Sequence, residues 1–285
     1  MTTIAIELQP IGNILAGKEI GGVRWYDEQR CCEIHGPYSA RVVFARGEKV
    51  SDGFCPECYR LQQEAAEKAR QKALAQLEAE KERRRMEEAL GRACIPDDFQ
   101  EKTFDTFIAD TPELEKNLSL AKRYANSWQR VRESGYGLYL FGNPGTGKSH
   151  LAISIIKALL PDITALYTRV PDMISFIRST WHPNAETSSY EAIRHYINFD
   201  LLVLDEVGVQ AGSINEQTLL FEVIDARLSE NRPTIFLSNL KPSDLISVVG
   251  HRIVDRIKGK CIVLQFSGKS RRKPLTVEDV FGEAA

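Results

Sequence analysis

The octet Gly142-Asn143-Pro144-Gly145-Thr146-Gly147-Lys148-Ser149 follows the apolar run 138–141 and opens a stretch of helical pattern. A strand, a glycine-rich turn and a helix in that order make a phosphate cradle. The glycines let backbone N–H groups close round an anion, and the helix N-terminus adds partial positive charge. Lys148 is expected to reach the β- and γ-phosphates of a nucleotide as a point charge, and the Ser149 hydroxyl to ligate magnesium. The apolar run 201–204 ends in Asp205 and Glu206, and ligands of parallel sheets sit at the carboxyl ends of strands. Both acids are therefore expected beside the cradle. Asp205 suits magnesium, directly or through another of its ligands, while Glu206 suits orienting and deprotonating an attacking water. The plainer reading of the pair is two acids satisfied by helix N-termini. A third run, 234–238, ends at Asn239, whose amide suits the attacking water or the γ-phosphate, although a polar residue at a strand end is common. Arg252 and Arg256 stand at i and i+4 on one helix face. One of them could be an arginine finger supplied to a neighbouring subunit, the alternative being a basic surface helix.

A second chemistry is written near the start. Cys32 and His35, then Cys55 and Cys58, form two pairs, each with two residues inside it and about 19 residues between the halves. Three thiolates and one imidazole suit four-coordinate Zn2+ in a closed site with no position left for a reacting water. Such a metal would serve folding, supplying what so small a segment cannot bury. Cys31 adjoins the set and competes with Cys32, which has the regular spacing to His35. Cys94 and Cys261 stand alone and are expected to be inert, buried thiols.

The elements that must position these groups follow from pattern. Of 285 residues, 37 are Lys or Arg and 39 Asp or Glu, with 43% apolar residues, so any nucleic-acid contact must come from a local basic surface. No run approaches the roughly 20 apolar residues of a membrane span, and the first residues lack the features of a signal peptide. A cytoplasmic protein without a membrane partner is the expectation. Residues 1–30 read as a loose arm or a short strand pair, and 31–60 as the zinc module with one plausible strand at 41–45. Residues 61–92 read as a long exposed helix, a solvated spacer or one that docks a thin apolar seam on a partner. From residue 93 to 275 short apolar runs alternate with helical patterns, which implies a parallel sheet covered by helices on both faces. Residues 276–285 form a tail. A single helix is expected at about 111–131.

Together, the phosphate loop with its following His150-Leu151-Ala152, the block 200–210, the run 234–240 and the helix 250–259 resemble the DnaC family of bacterial and phage helicase loaders, within the AAA+ ATPases. The resemblance covers residues 95 to 275, entered through Thr103-Phe104-Asp105-Thr106-Phe107, and the block 200–210 is its most specific part. The front pattern, with Gly36 after His35 and Pro56 after Cys55, is similar to that of some phage members. The resemblance implies an ATPase, with ATP and Mg2+ as ligands, that associates with the replicative helicase hexamer and delivers it onto single-stranded DNA. It implies that Gly142 to Ser149 and Asp205 bind the nucleotide and its cation, that Glu206, Asn239 and Arg256 serve hydrolysis, and that the ATPase domain self-associates. It makes residues 170–195 a paired-helix insertion for single-stranded DNA and assembly, in which Trp181 is a stacking face or a core residue. A lid domain of the family's usual kind is not expected, and Arg271 or Arg252 could stand in for a second sensor. Two alternatives remain at this point. One is an IstB-like transposition ATPase acting on duplex DNA. The other is a zinc-bearing DNA-binding adaptor with an architectural ATPase core.

Overall fold

The computed structural model describes residues 18–51, 53–209 and 213–272. The arm up to residue 17, Gln210 of the acidic block and the 276–285 tail lie outside the described residues. The chain divides into two units, Met1–Lys81 and Glu82–Ala285, and the long helix α1, Pro56–Arg92, runs through the boundary.

In the first unit four antiparallel strands lie in the order β1-β2-β3-β4: Lys18–Ile20, Val23–Cys32, Gly36–Ala45 and Glu48–Ser51. Residues 18–30, expected as a loose arm or short strand pair, thus belong to a sheet whose central hairpin pairs Val23 with Ala45 and runs unbroken to Cys32 opposite Gly36. Expectation and structure differ because most side chains of β2 are solvent-exposed. A strand held by pairing rather than burial leaves little period-two signal. Gly36, at φ +77, closes the turn after His35, a left-handed position that glycine adopts without strain.

The second unit carries a parallel sheet in the order β6-β7-β8-β5-β9. Its strands are β5 Gly137–Gly142, β6 Ala165–Arg169, β7 Leu201–Asp205, β8 Thr234–Ser238 and β9 Cys261–Phe266. The three inner strands bury nearly every residue, as expected of strands covered on both faces. Side chains alternate between two cores. One holds Leu138, Leu140, Tyr167, Val203 and Ile235 with helices α2 (Pro112–Asn126) and α4 (Lys148–Leu159). The other holds Tyr139, Leu202, Leu204 and Phe236 with α5 (Val170–Ser179), α6 (Ser189–Asn198), α7 (Ile214–Ser229), α8 (Pro242–Val249) and α9 (His251–Lys260). The helix expected at 111–131 is two, α2 and α3 (Trp128–Ser134), parted at Ser127. Neither glycine nor proline marks that break, so local pattern does not announce it. Cys94, expected buried, is exposed, and Cys261 is half-buried.

Candidate nucleotide and metal sites

The turn from β5 into α4 holds its shape through glycines with positive φ. Gly145 sits at φ +75 and Gly147 at φ +104, where a Cβ would meet the Ser270 hydroxyl at 2.1 Å and the Phe107 ring at 2.9 Å. Neither place admits a side chain. Thr146, buried, donates to the Asn143 carbonyl at 2.7 Å and braces the loop from within. Outside it, Asn143 Nδ2 donates to the Gly268 carbonyl at 3.0 Å, and the Arg271 backbone N–H donates to the Gly145 carbonyl at 2.9 Å. Pro144 is exposed at the tip.

Lys148 is buried at the start of α4, and its Nζ donates to the Gly142 and Asn143 carbonyls, each at 2.8 Å, and to Asn239 Oδ1 at 3.0 Å. Burial holds its ammonium below the usual lysine range, with Asp205 opposing that shift and Arg272 adding to it. The loop and the end of β8 thus converge on one cation, whose three donors are all taken by protein acceptors.

Asp205, at the end of β7, is held at both oxygens. Oδ2 accepts from Ser149 Oγ at 2.8 Å and from the Tyr167 hydroxyl at 2.5 Å, while Oδ1 accepts from the Glu206 backbone N–H at 2.7 Å. The phenol of Tyr167 lies above its ordinary value, first through burial and then through the Asp205 charge. Glu206 follows in a left-handed backbone conformation, φ +59, which costs a non-glycine residue about 1 kcal/mol or more and is typical of functional turns. Val207 then rejoins the sheet by donating to the Leu237 carbonyl at 2.9 Å. A hydroxyl and a carboxylate oxygen 2.8 Å apart are hard oxygen donors beside a phosphate cradle, which fits Mg2+.

The expected nucleotide residues therefore gather at the carboxyl ends of β5, β7 and β8, and Asn239 with them. Arg256 does not join them within this chain. It lies on α9, 2.5 Å from Asp225 on α7, an ion pair whose angles fall outside hydrogen-bond geometry. Arg252 is exposed on the same helix. Arg271 turns its guanidinium to the Ile108 carbonyl and to Asp110. Tyr167, which pattern reading passes over, sits on the neighbouring strand β6, and only strand order brings it to Asp205.

In the front unit, the tip of the β2-β3 hairpin meets the start of α1. Cys32 Sγ, His35 Nδ1, Cys55 Sγ and Cys58 Sγ lie within 4.8 Å of one another. The Sγ to Nδ1 distances from His35 are 3.7, 3.7 and 3.4 Å, and Cys32 to Cys58 is 3.5 Å. Tetrahedral zinc, with Zn–S of about 2.3 Å and Zn–N of about 2.0 Å, sets S···N near 3.5 Å and S···S near 3.8 Å, so the donor set fits. Backbone N–H groups of Ile34 and His35 hold the Cys32 thiol down at about 6, while the hydrogen bond with Cys32 pushes Cys58 up to about 11. One thiolate disfavours a second beside it, and a cation at the centre removes that conflict. Cys31, the expected competitor, is exposed with its sulfur at the Cys32 carbonyl, outside the cluster.

A family comparison matches the description "IstB-like ATP binding protein" over residues 61–278, more than half of the chain. The chain belongs to the IstB-like ATP binding protein family. As an IstB-like protein it is a P-loop ATPase of the AAA+ type, and several of the relatives it resembles are named helicase loaders. It is 31% identical over 205 residues to a protein named replicative helicase loader DnaC from Escherichia coli strain K12, spanning 71% of this chain and 82% of that one. The DnaC of Buchnera aphidicola subsp. Baizongia pistaciae is 32% identical over 194 residues, 67% of this chain and 77% of the relative. Among solved structures, one titled as the DnaC helicase loader superposes with a TM-score of 0.56 at 22% identity, covering 60% of this chain and 100% of that chain, a likeness of fold. Among the described residues no helix is long and apolar enough to cross a membrane.

Proposed function

We propose that this IstB-like protein is an ATP-dependent loader that binds the replicative helicase hexamer in the cytoplasm and helps place it on single-stranded DNA. In this reading ATP binding and hydrolysis switch assembly and release. The observation that carries it is the DnaC likeness over most of the relatives' length, joined to a converged Lys148, Ser149, Asp205 and Asn239. The loop Gly142 to Ser149 holds the phosphates, with Lys148 leaving its carbonyl partners for them. Ser149 and Asp205 hold Mg2+, which when bound neutralises phosphate charge. Glu206 orients and deprotonates the attacking water, and Asn239 senses the γ-phosphate through Lys148. Arg256 acts on a neighbouring subunit's nucleotide once it exchanges Asp225 for phosphate, which requires self-association of the ATPase domain.

The paired helices α5 and α6 present Trp181 half-exposed with the Arg178 guanidinium 6.0 Å above its ring, an arrangement that supports stacking on unpaired bases. The zinc module, by contrast, is read as a grip on protein. Exposed Ile34, Phe54 and Tyr59 each flank a metal ligand in sequence. Of its basic residues, Arg41 is paired with Asp27 and Arg60 with Glu57 and Glu64. Guanidiniums already matched by carboxylates release few counterions from a phosphate backbone.

The decisive experiment is the mass of complexes formed with the replicative helicase from the same source, with ATP, with ADP and with neither. A nucleotide-dependent complex on the hexamer supports the loader. No complex in any state, with binding to duplex DNA and a transposase instead, moves the chain to the IstB-type role. Unchanged partner release when Glu206→Gln stops hydrolysis would favour the architectural adaptor.

A further inference from the structure

Asp205 Oδ2 receives two hydroxyl donors, Ser149 at 2.8 Å and Tyr167 at 2.5 Å. Ser149 belongs to the phosphate loop and must turn a lone pair to a cation if it ligates one. The Tyr167 hydroxyl has no such second task. Its ring is buried in the core among Leu201 and Val203, and its backbone N–H donates to the Ala93 carbonyl at 2.9 Å. Ala93 lies just past the end of α1, so the strand edge that carries Tyr167 is closed off by the chain entering the ATPase unit. Both ends of the residue are therefore fixed before any ligand arrives.

We propose that Tyr167 is a positioning residue for the magnesium site, locking the Asp205 carboxylate through Oδ2 so that it stays aimed at the cation when Ser149 turns to ligate it. This rests on the reading that Ser149 and Asp205 hold Mg2+. A carboxylate at a strand end can rotate about its side-chain bonds, and every wrong rotamer lowers the fraction of sites ready for the ion. The Glu206 N–H fixes one oxygen only. The Tyr167 O–H fixes the other, from a different strand, which determines the plane of the carboxylate as well as its direction. Outer partners of this kind typically contribute 10- to 100-fold in metal affinity.

The test is Tyr167→Phe in the full-length protein, which keeps the ring and removes the oxygen. The affinity for a fluorescent ATP analogue is measured by titration, in EDTA and across a Mg2+ series, alongside thermal unfolding. The expected result is a rise of about 10-fold in the Mg2+ concentration giving half of the magnesium-dependent gain in affinity, with affinity in EDTA and the melting temperature unchanged. An unshifted Mg2+ midpoint overturns the proposal. An equal loss of affinity with and without Mg2+ also overturns it, because it assigns the hydroxyl to the shape of the phosphate loop. Asp205→Asn in the same titration tests the underlying reading separately. If that variant keeps the full magnesium-dependent gain, Asp205 is not the magnesium acid, whatever Tyr167→Phe does.

Discussion

Arg227, on α7, is fully buried, and its five hydrogen bonds run to neutral acceptors. Nε donates to Thr234 Oγ1 at 2.9 Å, Nη1 to the Tyr196, Ile197 and Phe199 carbonyls at 2.9 Å each, and Nη2 to the Pro233 carbonyl at 2.7 Å. One side chain thus closes the end of α6 and the entry to β8, the strand that delivers Asn239. Burial pushes the guanidinium from 12.5 to about 9, so it is still charged at neutral pH. At about 1.4 kcal/mol per tenfold, holding that charge inside costs about 5 kcal/mol. Nη1 has two hydrogens for its three carbonyls, so four full charge-assisted bonds at about 2 kcal/mol each contribute about 8 kcal/mol, leaving the native state favoured by about 3 kcal/mol. Replacing a buried ion pair by apolar residues is often neutral when both partners go. Here four of the acceptors are backbone carbonyls, which no substitution removes. Arg227→Met is therefore expected to cost about 3–5 kcal/mol, the methionine recovering some packing. For a unit of about 200 residues that lowers the melting temperature by about 10 °C or more. Calorimetry on the full chain checks it, with the ATPase transition identified as the one nucleotide raises. Arg227→Lys, with three donors on one atom, should fall between. A melting temperature within about 2 °C of wild type for Arg227→Met would refute the reasoning, showing that the carbonyls find other donors.

Chelation, or Cys55→Ser, is expected to release a single zinc per chain and melt the front sheet and the start of α1 while the ATPase transition stays in place. Circular dichroism with a zinc-binding dye reads both, and a Cys55→Ser protein that keeps its zinc would remove Cys55 from the ligand set. Glu206→Gln should slow hydrolysis by about 100-fold or more with ATP affinity little changed; equal loss of both would move Glu206 from the water to the phosphates. Arg256→Ala should abolish hydrolysis while sparing ATP binding and stability, whereas a large fall in melting temperature would make its pairing with Asp225 its main task. His150 packs its ring edge on Phe107 and bonds the Thr103 carbonyl at 2.8 Å, and burial holds it below 6.5. The unfolded chain therefore takes the proton first, so stability is full above pH 6.5 and declines as pH falls below it. Melting between about pH 7.5 and 5.5 should fall less in His150→Gln than in wild type, and an equal fall would show that other groups carry the dependence.

How far the pattern of residues reaches depends on whether a feature is local. The phosphate loop, the two acids and the three inner strands are local. A strand buried on both faces must be apolar along its length, and a phosphate turn must have glycine where φ is positive, so both appear as runs and spacings. The metal set is legible for the same reason, since two ligands on one turn need a short fixed spacing. The front sheet shows the limit. Arg24, Asp27, Glu28 and Arg30 occupy a strand that is paired but barely buried, and pairing leaves no trace in hydropathy.

Strand order is decided by the tertiary structure alone. A stretch that reads as strand does not say which strand lies beside it, yet that neighbour sets what each side chain reaches. Placing β6 against β7 brings Tyr167 to Asp205, and placing β8 beside β5 brings Asn239 to Lys148. Placing β9 on the far side of β5 lays residues 267–272 along the phosphate loop, which turns Arg271, a sensor candidate by position, toward Asp110. Arg227 is the extreme case. Its residue type argues for the surface, and only the convergence of three segments on one point, with four backbone carbonyls facing its guanidinium, makes the interior its lower free-energy place.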